Sequence, residues 1–197
     1  EFLDEISPDA KIIGSINTIK IDEDKKATGY NTDGRGFIKA LQENDVDFKG
    51  KKIVMAGAGG AARAVATQLA FDGAGEIVMF NRTLKTVQDI VDKAMDEDVI
   101  TEEIKDTAIL VNCTSLGMKS TIDQAIISSP DQLPKDIFVA DIVYDPEQTK
   151  LLKIAEQAGC KFMNGLMMMI WQGAVAFKIW TGKDMPVDLI KKEIFGK

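Results

Sequence analysis

An α/β fold built on a doubly wound, mostly parallel sheet is predicted by three features of this sequence. Residues 53–56 form an apolar run, as expected for a strand that is buried on both faces of a parallel sheet. A glycine-rich turn, residues 57–62, follows that run at once. Apolar runs then alternate with helical patterns along the rest of the chain, which favours strand–helix–strand units within one sheet.

The other elements are predicted from the same patterns. Helices are expected over 34–43, 61–71, 84–94 and 147–158, and further buried strands over 76–80, 109–112, 137–143 and 160–163. Two short strands, 12–21 and 26–32, predict a hairpin that has no further strand to pair with. The stretch between Thr83 and Ile109 has barely room for the helix, strand, helix and strand that are expected there. We therefore expect missing chain before Glu1 and either a missing strand or an excised loop near 94–101.

The glycine turn predicts a binding site for a dinucleotide. Its pattern, G-x-G-x-x-A, is typical of strand-to-helix turns that bind a pyrophosphate. Gly57 permits the tight turn, and Gly59 omits a Cβ where the pyrophosphate approaches the backbone. The following helix directs its N-terminal amides, roughly half a positive charge, at the same place. The candidate cofactor residues of the turn are Gly57, Ala58, Gly59, Gly60 and Ala61; a turn that serves packing alone is the alternative.

The end of the second strand favours NADP over NAD as the cofactor. Proteins that bind NAD often place a carboxylate there for the ribose 2′-hydroxyl. This chain instead has Asn81, Arg82 and Thr83, followed by Lys85, and has no acid before Asp89. A guanidinium stacks on adenine and pairs with a 2′-phosphate, which a carboxylate would repel. Alternatively, Thr83 simply caps the next helix.

Composition excludes several other functions. The net charge of −7 and the absence of a basic patch with interleaved aromatic residues argue against nucleic acid as a partner. No apolar run approaches the ~20 residues that span a bilayer, so we expect no membrane partner. Cys113 and Cys160 have no metal-like spacing, which predicts a reduced, cytoplasmic protein without a metal site. The chain contains no histidine, so any acid–base chemistry must use a carboxylate, a lysine or a tyrosine.

Seven motifs occur in one order along the chain: GSINT at 14–18, GYNTDG at 29–34, GAGGAA at 57–62, NRT at 81–83, NCTSLGM at 112–118, DIVY at 141–144, and NGLMM at 164–168 with QGAVAF at 172–177. Together they resemble the shikimate dehydrogenase family, including its quinate/shikimate dehydrogenase branch. The resemblance extends from about residue 2 to residue 190.

The resemblance implies an enzyme that transfers a hydride reversibly between shikimate and NADP, with 3-dehydroshikimate as the oxidised product. Quinate as substrate and NAD as cofactor are possible in the related branch. It also implies three segments: a remnant of a substrate-binding α/β domain over 1–34, a Rossmann-type NADP-binding domain over 35–178, and a helical segment over 179–197 that returns toward the substrate domain. We expect a monomer or a homodimer with a small-molecule substrate.

The resemblance also assigns roles to individual residues. Asp33 corresponds to the catalytic aspartate, and the substrate contacts are Asn17, Asp33, Tyr144 and Gln172. Beyond the glycine turn and the loop over 81–86, the cofactor contacts are Thr114, Ile142, Gly165 and Met168, with Ile142 in place of a methionine that is common in the family. From the residues alone, other roles stay open for several of them: Asp33 as a helix cap, Asn17 as a turn residue, Met168 as a core residue and Tyr144 as an exposed strand-end aromatic.

Two family features would lie upstream of Glu1: a lysine that is paired with the catalytic aspartate, and a Ser-x-Ser motif that binds the substrate carboxylate. A non-catalytic NADP-binding module is therefore an alternative of another class.

We predict that this 197-residue chain binds NADP(H) but turns over shikimate negligibly. Calorimetry should give tighter binding of NADP⁺ than of NAD⁺, and the Arg82→Ala substitution should abolish that preference because it removes the partner of the 2′-phosphate. Equal affinity for the two cofactors would favour the quinate/shikimate branch. Measurable steady-state turnover by the chain alone would contradict the expectation of low activity.

Overall fold

The computed structural model describes residues 2–82, 93–94 and 96–196 of the chain, with only the backbone at 93–94. The predicted site residues Thr83 and Lys85 lie outside the described residues. So does most of the helix that was predicted over 84–94.

A small sheet opens the chain. Its strands are β1 (Glu5–Ile6), β2 (Thr18–Ile21) and β3 (Ala27–Tyr30), in the order β1-β3-β2. Strands β2 and β3 form the predicted antiparallel hairpin, with Ile19 opposite Gly29. Strand β1 pairs with β3 in parallel. The expectation that the hairpin has no further strand to pair with was therefore wrong.

The first predicted strand of the hairpin also began too early, because residues 8–13 are helical. Helix α1 (Pro8–Ile13) starts after Ser7, whose side chain accepts a hydrogen bond from the amide of Ala10. It ends at Gly14, which adopts a left-handed conformation with φ 67°. A serine followed by proline is a helix-start signal, and the apolar pair at 12–13 had outweighed it.

The next elements agree closely with the prediction. They are α2 (Asp33–Glu43), β4 (Lys52–Ala56), α3 (Gly60–Phe71) and β5 (Glu76–Asn81). The remaining elements are β6 (Lys93–Ala94), α4 (Glu97–Glu103), β7 (Ile109–Asn112), β8 (Phe138–Asp141), α5 (Lys150–Gln157), β9 (Lys161–Met163), α6 (Leu166–Thr181) and α7 (Val187–Phe195).

Two expectations about the middle of the chain were wrong. The predicted helix over 84–94 cannot extend to Ala94, because Lys93 and Ala94 form β6 and pair with the end of β5. The strand that was expected to be missing near 94–101 is therefore present at 93–94. The excised loop that was the alternative stays a prediction. Helix α4 follows β6, with Asp96 accepting hydrogen bonds from the amides of Asp98 and Val99 as the N-cap.

The large sheet has the doubly wound order that the sequence predicted. Its described strands run β6-β5-β4-β7-β8-β9, and every pairing between them is parallel. Apolar side chains cover both faces, one toward α2, α3 and α6 and the other toward α4 and α5. The order in which strands are added reverses between β4 and β7: β5 and β6 lie on one side of β4, and β7, β8 and β9 lie on the other. In open α/β sheets ligands bind at this switch point, outside the carboxyl ends of the strands. The fold is a Rossmann-type α/β fold.

Helix α2 lies between α3 and α6, and glycines bring the three backbones together. A Cβ added at Gly34 would lie 2.4 Å from the carbonyl oxygen of Ala64 in α3. A Cβ added at Gly36 would lie 2.7 Å from the backbone nitrogen of Gln172 in α6. These contacts set the first turn of α2, which begins at Asp33, against the middle of α6. Within the part of the chain that the structure describes, no helix is long and apolar enough to cross a bilayer.

We predict opposite effects of alanine at two helical glycines of this helix pair. Gly36→Ala should lower the free energy of unfolding by about 1 to 3 kcal/mol, because the new methyl group meets the α6 backbone. Gly173→Ala is the matched control: no atom lies within 4 Å of its added Cβ, so the higher helix propensity of alanine should raise stability by about 0.5 to 1 kcal/mol. Urea unfolding of the two variants measures both effects. Equal effects would contradict the close backbone approach.

Candidate functional site

Three of the predicted substrate residues meet at the N-terminus of α2. Asn17 donates a hydrogen bond from Nδ2 to Oδ1 of Asp33 at 2.7 Å. The Thr32 hydroxyl lies 3.2 Å from Asn17 Oδ1 and 3.1 Å from Gln172 Oε1, so it bridges the hairpin side and the α6 side of the cluster. Thr32 itself is fully buried. The structure therefore brings together Asn17, Asp33 and Gln172 from sequence positions that are far apart.

The amide of Asn17 has a defined orientation in this cluster. Its Oδ1 faces the Thr18 hydroxyl at 2.9 Å and the backbone amide of Thr32 at 3.0 Å, which are donors. The Nδ2 group must then point toward the Asp33 carboxylate. One Nδ2–H binds Asp33, which leaves the second N–H for a ligand. Asn17 is therefore more than the turn residue that was the alternative.

Asp33 does not cap α2. The N-cap position is Thr32, and Asp33 is the first residue of the helix, with its carboxylate bound to Asn17. Its own amide donates to Asn31 Oδ1 at 3.0 Å. Burial raises the pKa of Asp33 above its ordinary value, and the hydrogen bond from Asn17 opposes that rise in part. Within the described residues, no cation pairs with this carboxylate and no donor engages its Oδ2.

The glycine turn and two neighbouring loops enclose a cavity of about 250 Å³ at the switch point. Its lining combines the loops that follow β4, β5 and β7: Gly57, Ala58, Gly59, Asn81, Arg82, Cys113, Thr114, Ser115 and Leu116. The predicted cofactor residues Asn81, Arg82 and Thr114 thus lie on the same cavity as the glycines.

Gly57 and Gly59 differ in what an added side chain would meet. Gly57 has φ 103°, and a Cβ there would lie 2.7 Å from the carbonyl oxygen of Cys113, so only glycine fits. At Gly59, a Cβ would meet no atom within 4 Å and would occupy open space beside the cavity. A side chain is therefore excluded at Gly57 by the protein, whereas the space beside Gly59 is open.

The first turn of α3 contacts the loop that carries Asn17. The helix begins at Gly60, one residue before the predicted start at Ala61. A Cβ at Gly60 would lie 2.8 Å from the Ser15 hydroxyl, two residues before Asn17. One turn later, Arg63 donates from Nη2 to the carbonyl oxygen of Gly14 at 3.4 Å. The loop that carries Asn17 is therefore packed against the helix whose N-terminus faces the cavity.

A second cavity of about 310 Å³ shares Thr114 with the first. It is lined by Thr114, Met118, Lys119, Ile142, Val143, Tyr144 and Asp145. Tyr144 is 53% exposed, and within the described residues no hydrogen bond joins it to Asn17, Asp33 or Gln172. The structure thus places Tyr144 on this cavity and apart from the other predicted substrate residues.

The start of α6 adjoins the second cavity. A Cβ at Gly165 would lie 2.0 Å from the carbonyl oxygen of Ile142, and the Gly165 amide donates to the carbonyl oxygen of Val143 at 3.0 Å. One turn further, Met168 is buried within the main apolar core. The core role that was the alternative for Met168 is therefore present, and its carbonyl oxygen also faces Gly36.

The sequence interpretation missed a buried polar network beneath both cavities. Asp141, at the end of β8, accepts hydrogen bonds from Asn112 Nδ2 at 2.9 Å, from the Val143 amide at 3.0 Å and from the Thr149 hydroxyl at 2.7 Å. Burial raises the pKa of Asp141 to about 6, although all three hydrogen bonds oppose the rise. Polar residues directly after two apolar strands were the available signal.

The strand order, the glycine turn at the switch point and the cavity beside it define a Rossmann-type dinucleotide-binding protein. Two family models then match the chain: shikimate/quinate 5-dehydrogenase over residues 39–143, and the shikimate 5′-dehydrogenase C-terminal domain over residues 165–195. The chain belongs to the shikimate dehydrogenase family.

Individual relatives agree with this assignment. Shikimate dehydrogenase (NADP(+)) of Alkaliphilus metalliredigens is 44% identical over 208 residues, which cover 99% of this chain and 72% of the relative. The crystal structure of shikimate 5-dehydrogenase from Listeria monocytogenes, in complex with shikimate and NAD, is similar with a TM-score of 0.89 and 42% identity, covering 98% of this chain and 72% of that one. Quinate dehydrogenase from Corynebacterium glutamicum, in complex with NAD, has a TM-score of 0.87 and 30% identity, covering 99% and 72%.

We predict that Asp141→Asn changes how stability depends on pH. The folded-state pKa of about 6 lies above the ordinary value of 3.8. Between these values the folded protein retains a proton that the unfolded chain releases. Stability from this proton is present at low pH and is lost as the pH rises through about 6. The free energy of unfolding of the variant, relative to the native chain, should therefore rise by roughly 2 kcal/mol between about pH 4.5 and about pH 7.5.

Urea unfolding of both proteins across this pH range measures the difference. Other carboxylates contribute equally to both proteins and cancel. Parallel pH dependence of the two would contradict the protonation of Asp141.

Proposed function

We propose that this chain supplies the cofactor-binding portion of an NADP(H)-dependent oxidoreductase that interconverts shikimate and 3-dehydroshikimate. The observation that carries the proposal is the Asn17–Asp33 pair beside Thr32 and Gln172. Asn17 lies on a loop that contacts the first turn of α3, whose N-terminus faces the nucleotide cavity. The curated relative from Alkaliphilus is named for shikimate and NADP⁺, and the Listeria structure contains shikimate.

The cavity at the switch point fits the pyrophosphate end of a dinucleotide. The open space at Gly59 and the N-terminal amides of α3 would hold the pyrophosphate, since such amides attract an anion. Arg82, on the cavity wall, would pair with the 2′-phosphate of NADP. Asn81, Thr83 and Lys85 belong to the same proposed contact, with Thr114, Ile142, Gly165 and Met168 toward the other end. The bound cofactor supplies a nicotinamide that accepts or returns a hydride.

The cluster at α2 offers the groups that a hydroxylated ring requires. Asn17 has one N–H to donate, and Gln172, which gives one N–H to the carbonyl oxygen of Met169, has another. Asp33 Oδ2 is an acceptor without a donor among the described residues. An alcohol that is oxidised must lose its hydroxyl proton, and Asp33 would orient that hydroxyl and receive the proton directly or through a basic partner. A raised pKa suits such a group, since it brings the carboxylate closer to the working pH.

We also propose the division of the chain into a substrate-domain remnant over 1–34, an NADP-binding domain over 35–178 and a returning helical segment over 179–197. The separate small sheet supports the first part. Trp180 supports the last part, because its indole donates to the carbonyl oxygen of Ile19 in the hairpin at 2.9 Å. A reduced, cytoplasmic protein that is a monomer or a homodimer completes the proposal; both cysteines are free thiols.

Quinate dehydrogenase with NAD is the second candidate function. The Corynebacterium and Listeria structures are both described as complexes with NAD, which favours it. Substituting Arg82 discriminates between the cofactors, and Arg35→Ala is the matched control. Arg35 is an exposed cation that pairs with Asp9 at 2.8 Å and does not line the cavity. If the affinity for NADP⁺ falls in Arg82→Ala and does not fall in Arg35→Ala, the result supports NADP as the cofactor.

We predict that Asp33→Asn abolishes the reaction and leaves cofactor binding intact. The experiment uses a chimera that carries, ahead of Glu1, the part of the Alkaliphilus relative that precedes the matched region. Shikimate-dependent reduction of NADP⁺ should fall by about a hundredfold or more, the usual effect of losing a positioned acid–base group. The dissociation constant of NADP⁺, from calorimetry, should change by less than about twofold because Asp33 is not on the nucleotide cavity.

Asp24→Asn is the control for the loss of one carboxylate, since Asp24 lies exposed in the turn between β2 and β3. Its rate should equal that of the parent chimera. Turnover by Asp33→Asn at the parental rate would contradict the role of Asp33. A parent chimera that prefers quinate would support the second candidate.

A further inference from the structure

Asp141 is a buried carboxylate for which the proposed chemistry has no direct use. It is 1% exposed, and within the described residues no cation pairs with it. Its Oδ1 accepts from Asn112 and from the Val143 amide, and its Oδ2 accepts from the Thr149 hydroxyl. Burying an unpaired carboxylate is costly, and these donors offset only part of that cost. The carboxylate therefore serves to hold its three hydrogen-bond donors in place.

The first of these groups is Asn112, which shapes the wall of the nucleotide cavity. Its Nδ2 donates to Asp141 and also to the carbonyl oxygen of Leu116 at 3.2 Å. Its Oδ1 accepts from the amide of Thr114 at 3.1 Å and from the Thr114 hydroxyl at 2.7 Å. Asp141 accepts only from the Nδ2 side and so fixes which way the amide points. The turn over 113–116 follows that orientation.

The second group is the amide of Val143, which connects Asp141 to the start of α6. The Val143 amide donates to Asp141, and its carbonyl oxygen accepts from the amide of Gly165. Gly165 in turn lies against the carbonyl of Ile142, where a Cβ would not fit. The relative placement of Ile142 and Gly165 therefore depends on a peptide that Asp141 holds.

The third group is Thr149, which joins the loop after β7 to α5. Its hydroxyl donates to Asp141 and accepts from the amide of Leu152 as the N-cap of the helix. A Cβ at Gly117 would lie 2.9 Å from Thr149 Cβ, so the end of the β7 loop rests on this side chain. Asp141 is thus connected, through Asn112 and directly at Val143, to the two loops that supply the described lining of the second cavity. Thr114 lies where the two cavities adjoin.

We propose that Asp141 is a positioning residue that holds Thr114, Ile142 and Gly165 in place around the nicotinamide end of the cofactor. The inference rests on the proposed NADP(H) function and adds to it a group that touches neither cofactor nor substrate. We expect loss of the network to act mainly on Thr114, Ile142 and Gly165, because in the described part of the chain neither the glycine turn nor Arg82 makes a hydrogen bond to the side chains of Asp141, Asn112 or Thr149.

The test compares two ligands on the full 197-residue chain by calorimetry. NADP⁺ spans both ends of the site, whereas adenosine 2′,5′-bisphosphate carries only the adenine end and the 2′-phosphate. In Asp141→Asn and in Thr149→Val, the affinity for NADP⁺ should fall by about five- to tenfold, the range of couplings between neighbouring groups. The affinity for the bisphosphate should fall by less than about twofold.

Two further variants separate positioning from general stability. Thr149→Ser keeps the hydroxyl that Thr149→Val removes, so its affinity for NADP⁺ should equal that of the native chain. Thr107→Val is the matched control: it deletes another buried hydroxyl, which donates to the carbonyl oxygen of Glu103 near the opposite end of β7. It should lower the thermal midpoint about as much as Thr149→Val and leave NADP⁺ affinity unchanged.

Equal loss of both ligands in Asp141→Asn, or an equal loss of NADP⁺ affinity in Thr107→Val, would overturn the positioning role while the proposed function stands. A native chain that binds neither ligand would overturn both. If Asp141→Asn does not fold, the Thr149→Val and Thr149→Ser pair decides the question by the same comparison.

Discussion

The direct contact of the α2 backbone with the backbones of α3 and α6 is the constraint on which the rest of the site depends. Gly34 and Gly36 permit it, because any side chain at either position would meet backbone atoms that cannot move aside. With the helices at this distance, Asp33 emerges at the start of α2 where the hairpin supplies Asn17 and α6 supplies Gln172. The polar cluster is thus a product of helix packing, and its residues need no flexible loop to meet.

The carboxylates of Asp33, at the start of α2, and Asp141, at the end of β8, have different roles. Asp33 is half-buried and has one oxygen without a donor among the described residues, so it can still act on a ligand. Asp141 has both oxygens engaged and is closed off from solvent. Burial raises the pKa of both groups, and the number of remaining acceptor positions distinguishes them. A raised pKa alone therefore does not identify the reactive group.

The parallel sheet and the glycine turn were predictable because their signals are local. Apolar runs mark β4, β5, β7 and β8, and G-x-G-x-x-A marks the turn. Strand β1 has two residues and no pattern of its own, so pairing with β3 alone defines it. The roles of Asn112 and Asp141 required knowledge that β7 and β8 are neighbours, which no stretch of sequence contains. The link from Asn17 through Thr32 to Gln172 also depends on long-range packing, so the sequence did not reveal it.

One edge of the small sheet lies along β2 and meets α6. Among the described strands, β2 has a partner on one side only, and Ile21 on it is 68% exposed. An open edge with apolar side chains is a template for intermolecular strand addition and hence for aggregation. Trp180 engages the carbonyl of Ile19 with its indole N–H, and Lys20 adds a charge between the two isoleucines. The helix that carries Gln172 thus also occupies one hydrogen-bonding position that a second chain would need on this edge.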